Sequence, residues 1–359
     1  MIEKPALNEA GFLRFILVIS HSDFIKMSSA PWRKTLNMES EITPKPFPDG
    51  LFIVGCHRSG TSMLVDKLTQ HPQLFKVGVE LNDIWTAIGG AQCKGLNEYR
   101  DEKDANFQAA NNMTHYFSRF IDESKSFRRH LMRSKNWFTS RKGSIFYDWD
   151  HVIPVNKSPN LTNKIGYIHT LFPGFKVILI VRSILGHSSS AKVFFNRLYE
   201  NYGMVNYIAE NPKDGYIRIH KDETTNQALD DRIFPGDFSI IPYLWIRLNR
   251  VAMEDIVRLP EEQRLIISYE DFVRYQDHYL ERIFDFLEVL PRHNQATQKI
   301  IHSGMKIINT STKGDPLEKW KTQLTHEEIS QVERVVAENR EDYDFIENSL
   351  NKLALKVDD

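Results

Sequence analysis

Residues 51–64, LFIVGCHRSGTSML, constrain the fold of this chain more than any other stretch. Four apolar residues stop at Gly55, which predicts a strand buried on both faces within a parallel sheet. Small and basic residues follow: Gly55, Cys56, His57, Arg58, Ser59, Gly60, Thr61 and Ser62. Apolar periodicity resumes at Met63, Leu64 and Leu68 and predicts a helix. A strand that feeds a tight loop and then a helix brings backbone N–H groups and the positive end of the helix dipole to one point. That arrangement suits an anion.

The spacing Gly55-x4-Gly60-Thr61-Ser62 is that of a phosphate-binding P-loop with one substitution. Thr61 stands where a loop for nucleoside triphosphates carries its lysine. The positive charge sits instead on Arg58. A guanidinium can hold a phosphate through two parallel hydrogen bonds, but it does not replace a lysine that reaches the terminal phosphates. The loop therefore suits a phosphate or sulfate group better than ATP or GTP.

The charges of the chain nearly cancel, with 46 basic and 47 acidic residues among 359. No global basic field favours nucleic acid or a membrane surface, so any anion site must be a local concentration of arginine and lysine. Cys56 and Cys93 form neither a metal-ligand spacing nor a disulfide framework, which fits a reducing, cytoplasmic setting. Residues 12–20 are apolar but short and interrupted by Arg14, so no transmembrane segment is expected there, and Met27 stands as an alternative start. The expected organisation is an N-terminal extension over 1–47 and a single α/β domain over 48–359. Helical insertions are expected near 81–150 and 192–240.

Further strands are predicted at 74–79, 151–156, 176–181 (KVILIV) and 264–268 (RLIIS), each followed by a helical pattern. Strands alternating with helices imply an α/β, three-layer fold with a mainly parallel central sheet flanked by helices. Residues 203–237 mix Gly, Pro, Asp and Thr and are expected to form loops and short helices. The tail from 325 to 355 reads as helix, opening with the capping-box pattern Thr325-His326-Glu327-Glu328. Arg182 stands at the carboxyl end of the strongest strand, where open α/β sheets bind ligands. Ser190 follows eight residues later, about two helical turns on. Asp148, Asp150 and His151 alternate around a turn and read as solvated rather than as metal ligands.

In this order the motifs resemble the sulfotransferase family, which uses 3′-phosphoadenosine 5′-phosphosulfate (PAPS) to sulfate hydroxyl or amine acceptors. The resemblance covers about residues 50–340. It implies a P-loop-like fold and a seat for the 5′-phosphosulfate at His57, Arg58, Ser59, Gly60, Thr61 and Ser62. It also implies a 3′-phosphate pocket at Arg182 and Ser190, although Ser183-Ile184 departs from the family's usual Asp-Pro or Asn-Pro after the arginine. Tyr269-Glu270-Asp271 is similar to a family turn whose tyrosine reaches the adenosine bisphosphate. Residues 312–314 and 318–320 resemble a C-terminal loop that closes over the cofactor, with Lys319 or its rival Lys313 on the 3′-phosphate. No metal is expected.

By the same resemblance Glu80, placed after the second strand, is the general base. A polyanionic cofactor nearby is expected to raise its pKa. Arg58 stabilises charge on the bridging oxygen, and Lys157 neutralises the transferring group or positions the acceptor. The implied acceptor is a glycan, lipid-linked or small-molecule hydroxyl. Two other readings stand beside this one. A P-loop kinase or NTPase lacks its lysine here, and its Mg²⁺-binding acid is replaced by Arg182. A non-catalytic cofactor-binding protein would bind the cofactor without turnover.

Overall fold

A computed structural model describes residues 49–132, 147–224, 233–289, 295–304 and 315–356, all within the compact unit Pro46–Asp359. The apolar stretch expected at 12–20 lies outside the described residues.

Among the described residues eight strands form two sheets: β1 (Gly50–Val54), β2 (Leu74–Lys76), β3 (Ile153–Lys157), β4 (Phe175–Val181), β5 (Met204–Ile208), β6 (Tyr216–His220), β7 (Ile233–Phe234) and β8 (Arg264–Ser268). The main sheet is parallel throughout, in the order β2-β3-β1-β4-β8. From β1 the chain crosses to the edge strand β2, fills the place between them with β3, then adds β4 and β8 on the other side of β1. The connections therefore diverge between β1 and β4, and a crevice opens past the carboxyl ends of these two strands.

The helices of this unit are α1 (Thr61–Leu68), α2 (Asn82–Ala87), α3 (Phe107–Met132), α4 (Ile165–Leu171), α5 (Ile184–Tyr202), α6 (Ile240–Ile256), α7 (Tyr269–Arg274), α8 (Gln276–Phe286), α9 (Gln295–His302), α10 (Trp320–Gln323), α11 (His326–Glu338) and α12 (Arg340–Leu353). Side chains alternate along each strand, so successive residues serve opposite faces. Phe52, Val54, Val177, Leu179 and Val181 join Trp245 and Met253 of α6 in one core. Leu51, Ile53, Ile178 and Ile180 join Leu64 of α1 and Tyr279 of α8 in the other. Both faces are covered, which is why these strands read as unbroken apolar runs.

The structure departs from the sequence reading between 203 and 237. In place of loops and short helices it has a second, antiparallel sheet in the order β6-β5-β7. Asn206 stands opposite Arg218 in its register. β5 (MVNYI) carries no clean alternation, and the short period-2 pattern of β6 (YIRIH) lies among Gly, Pro, Asp and Thr residues that mark loops. The strand expected at 74–79 is shorter, Leu74–Lys76, although Val77 still donates to the carbonyl of Val155 at 2.9 Å. The helical tail divides at Asn339 into α11 and α12, and the capping box of Thr325 with Glu328 forms as expected. The Tyr269-Glu270-Asp271 stretch is not a turn. It is the first turn of α7, capped by the Ser268 hydroxyl, which accepts from the Asp271 N–H at 3.3 Å.

Candidate active site

The loop from β1 to α1 is fixed by two glycines that no other residue could replace without strain. Gly55 has φ +147°, and a Cβ there would lie 2.3 Å from the Ile180 carbonyl oxygen of β4. Gly60, at φ +96°, caps α1, and a Cβ there would meet the Tyr269 ring at 2.6 Å. The Gly55 N–H donates to the Thr162 hydroxyl at 3.0 Å, which ties the loop to the segment after β3. Arg58 is one of few non-glycine residues at positive φ, +73°. Such backbone costs of order 1–3 kcal/mol and is held only when its surroundings impose it.

Arg58 and Arg182 meet in the crevice. The Arg58 Nε donates to the Ser190 hydroxyl of α5 at 3.2 Å, and its guanidinium lies 5.6 Å from the Phe194 ring centroid. Arg182 stacks on Tyr269 at 4.5 Å and donates to the carbonyls of Arg58 at 3.2 Å and Pro316 at 2.9 Å. Its own carbonyl accepts from the Trp245 indole at 2.8 Å, so both the backbone and the side chain of Arg182 are anchored. Burial, then Arg182 and the exposed Arg197, lowers the Arg58 pKa; burial lowers that of Arg182. No carboxylate among the described residues forms an ion pair with either guanidinium. The Ser59 hydroxyl and the Arg182 Nε are buried and have no hydrogen-bond partner. Two desolvated cations beside unpartnered donors make a cradle for a polyanion.

Beside this cradle lies a different arrangement. Glu80, in the loop after β2, accepts from the Lys157 ammonium at 2.6 Å and from the Asn82 amide at 3.2 Å. Lys157 ends β3 and is 2 % exposed, while the Glu80 side chain is partly open. Burial is the strongest single influence on Glu80 and would raise its pKa, but the charge of Lys157, His57 and the hydrogen bonds from Lys157 and Asn82 together hold the carboxyl below its usual range. The charge in contact with Glu80 is a lysine, which lowers its pKa, opposite in direction to the rise expected beside a polyanion.

His57 occupies the space between the two. Its Nε2 meets the Asn160 Oδ1 at 2.8 Å and the Tyr216 hydroxyl at 3.1 Å, while the Tyr216 hydroxyl donates to the same Oδ1 at 2.8 Å. An amide oxygen only accepts, so Nε2 carries the hydrogen. Burial pushes the His57 pKa down to about 4 and that of His187, which hydrogen-bonds the His57 backbone, to about 3. Both rings are neutral at pH 7.

The structure thus brings His57, Arg58, Ser59, Gly60, Arg182, Ser190 and Tyr269 to one crevice, with Thr61 and Ser62 opening α1 beside them. Ser190 bonds Arg58 rather than Arg182. Lys319 lies in the turn that starts at Asp315, three residues past the Pro316 carbonyl that Arg182 reaches. Lys313 lies outside the described residues. Asn160, Thr162, Phe194, Tyr216 and Arg218 were not singled out by sequence. Asn160 and Thr162 follow directly on Lys157-Ser158-Pro159, so their proximity was available; nothing local marked the other three. Asp148 and His151 form an exposed turn pair at 3.0 Å, and no group of three or more His, Cys, Asp or Glu side chains converges as a metal site among the described residues.

Residues 48–291 match the model of a sulfotransferase family. The chain belongs to that family. Its activity class is accordingly sulfuryl transfer. No curated protein matches the sequence. Among solved structures, a sulfotransferase domain from the curacin biosynthetic pathway is 18 % identical with a TM-score of 0.42, covering 82 % of this chain and 99 % of its own. Sulfotransferase STF9 from Mycobacterium avium is 12 % identical with a TM-score of 0.41, covering 86 % and 77 %. Mouse sulfotransferase SULT7A1, complexed with PAP, is 12 % identical with a TM-score of 0.37, covering 85 % and 88 %. Among the described residues of this sulfotransferase no helix is long and apolar enough to cross a membrane.

Proposed function

We propose that the protein transfers a sulfuryl group from PAPS to an acceptor hydroxyl, with Glu80 as general base. The observation that carries this reading is the pair of half-buried Arg58 and buried Arg182, two guanidiniums at the carboxyl ends of β1 and β4 that form no ion pair with a carboxylate among the described residues. The unpartnered Ser59 hydroxyl and Arg182 Nε fit the same ligand, since each lacks a partner that a phosphate oxygen supplies. When bound, PAPS supplies the activated sulfuryl group.

In this reading the β1–α1 loop, with Arg58, Ser59 and the N–H groups opening α1, holds the 5′ end of the nucleotide. Arg182 takes the 3′-phosphate, with Lys319 or Lys313 closing over it. Ser190, now on Arg58, joins that pocket by a rotamer change. Arg58 also faces the bond that breaks, where its fixed charge stabilises the developing negative oxygen. Glu80, held ionised by Lys157, accepts the acceptor's proton. Lys157 ends at the same place and offsets charge on the group in transit. His57, neutral and fixed through Nε2 by Asn160, shapes the wall between nucleotide and acceptor.

The test is transfer of label from PAPS labelled in its sulfuryl group to a panel of sugars, phenols and alcohols, in the presence of EDTA. Labelled product that disappears in Glu80→Gln is the expected result. Phosphoryl transfer from Mg²⁺-ATP without any sulfuryl transfer would establish a kinase instead. Nucleotide binding with no turnover on any acceptor would point to a non-catalytic protein.

A further inference from the structure

We propose that Arg218 receives an anionic group of the acceptor, so that the substrate is a hydroxyl compound carrying a carboxylate, phosphate or sulfate. This rests on the sulfotransferase reading above. Arg218 lies on β6, opposite Asn206 of β5, and its Nε donates to the Asn206 side-chain oxygen at 2.7 Å. Three aromatic rings surround its guanidinium, Tyr216 at 4.6 Å, Phe195 at 5.6 Å and Phe194 at 5.8 Å. One terminal nitrogen, NH2, is buried with no hydrogen-bond partner, and no carboxylate among the described residues forms an ion pair with it. The comparably enclosed Arg100 and Arg250 each hold a carboxylate at 2.9 Å. This half-buried guanidinium, set among aromatic rings with one neutral amide as its side-chain partner among the described residues, keeps a buried free N–H that an incoming anion would satisfy with a charge-assisted hydrogen bond.

The position assigns this anion to the acceptor rather than to the nucleotide. The charges that act most on Arg58 are Arg182 and Arg197, and those on Arg182 are Tyr269 and Glu270. Arg218 acts instead on His57 and Tyr216, the two groups that also feel Glu80. Tyr216, whose ring carries the guanidinium, is hydrogen-bonded to both His57 and Asn160. Arg218 thus belongs to the wall around the proposed base. It meets the phosphate loop through Phe194, against which Arg58 also lies, and through Tyr216, which bonds His57. An acceptor hydroxyl at Glu80 would place a neighbouring anionic group at Arg218.

The test uses protein saturated with adenosine 3′,5′-bisphosphate, so that Arg58 and Arg182 are occupied. Phenylacetate, phenyl phosphate and phenyl sulfate are compared with benzyl alcohol and phenylacetamide by ligand-observed NMR. Wild type should bind at least one of the anions about tenfold more tightly than the neutral probes, and which one prevails identifies the group. Arg218→Gln should erase that preference with bisphosphate affinity unchanged, and Arg218→Lys should keep part of it, since it retains the charge without the fork. No preference in wild type, or the same preference in Arg218→Gln, overturns the proposal. Failure of the bisphosphate to bind removes the sulfotransferase reading and this proposal with it. Bisphosphate binding without anion preference removes this proposal alone.

Discussion

The two sides of the crevice handle buried charge in opposite ways. At Arg58 and Arg182, two cations meet with no carboxylate ion pair among the described residues and with unpartnered donors beside them. At Glu80 and Lys157, a short ion pair closes on itself, 2.6 Å apart, with Asn82 satisfying the second carboxylate oxygen. The first side is complete only with an anion. The second is neutral overall and complete as it stands. A sulfuryl transfer needs both: a fixed positive seat for the donor, which costs no reorganisation during reaction, and a base kept ionised at neutral pH. The difference also explains why Glu80 is not raised in pKa, because the lysine that would accompany transfer is already in contact with it.

The sharpest way to break this contrast is to remove the proposed base and leave the proposed seat intact. Glu80→Gln should lower kcat by roughly 10²–10⁴-fold with the affinity for adenosine 3′,5′-bisphosphate unchanged in a titration. Retained turnover would place the base elsewhere. The converse is Arg182→Ala, which should weaken adenosine 3′,5′-bisphosphate by about tenfold or more while leaving adenosine 5′-monophosphate nearly unaffected. Equal losses for both would remove the 3′-phosphate assignment.

Charge coupling within the second side gives a smaller effect. The kcat/KM of wild type should show no acid limb from Glu80 between pH 8 and about 6, because its carboxyl is held below the usual value near 4.5. Lys157→Met removes the main lowering charge and leaves burial to act, so the limb should move to higher pH. An unmoved limb would mean that Lys157 does not set the ionisation of the base.

The smallest effect is on stability. Burial pushes His57 and His71 down to about 4 and His187 to about 3, so the unfolded chain binds protons that the native one refuses. Stability from these groups is full above the unfolded value near 6.5 and is lost progressively as pH falls toward 4. Asp255, pushed up to about 6 by burial, works the other way over the same window. Three histidines against one aspartate predict a net fall in Tm from pH 6.5 to 4, measured by thermal melts. A flat or rising Tm would contradict it.

The parallel sheet and the phosphate loop were legible because their physics is local. Buried parallel strands must be apolar runs, and KVILIV and RLIIS appear as β4 and β8 almost residue for residue. The loop glycines are demanded by the backbone within six residues of one another. The family resemblance then named Arg58, Arg182 and Glu80, and the structure brings the first two into contact. The antiparallel sheet was not legible, because β5 and β6 are short and lie among Gly, Pro, Asp and Thr, and β6 makes further contacts with a distant segment. The Arg218 N–H donates to the Gly95 carbonyl at 2.9 Å, and Ile217 bridges to Leu96. The Gly, Pro, Asp and Thr residues of 203–237 gave the segment the look of a loop. The closed state of the Glu80–Lys157 pair was hidden because 77 residues separate its partners.

The central claim is that Arg58 and Arg182 form a metal-independent seat for a nucleotide bisphosphate. Calorimetric titration of the wild-type protein in EDTA tests it most directly, with adenosine 3′,5′-bisphosphate in one run and ATP in another, and ATP repeated with Mg²⁺. Saturable binding of the bisphosphate, tighter than ATP under either condition, is the predicted result. No binding of the bisphosphate, or tighter binding of ATP that appears only with Mg²⁺, would contradict it.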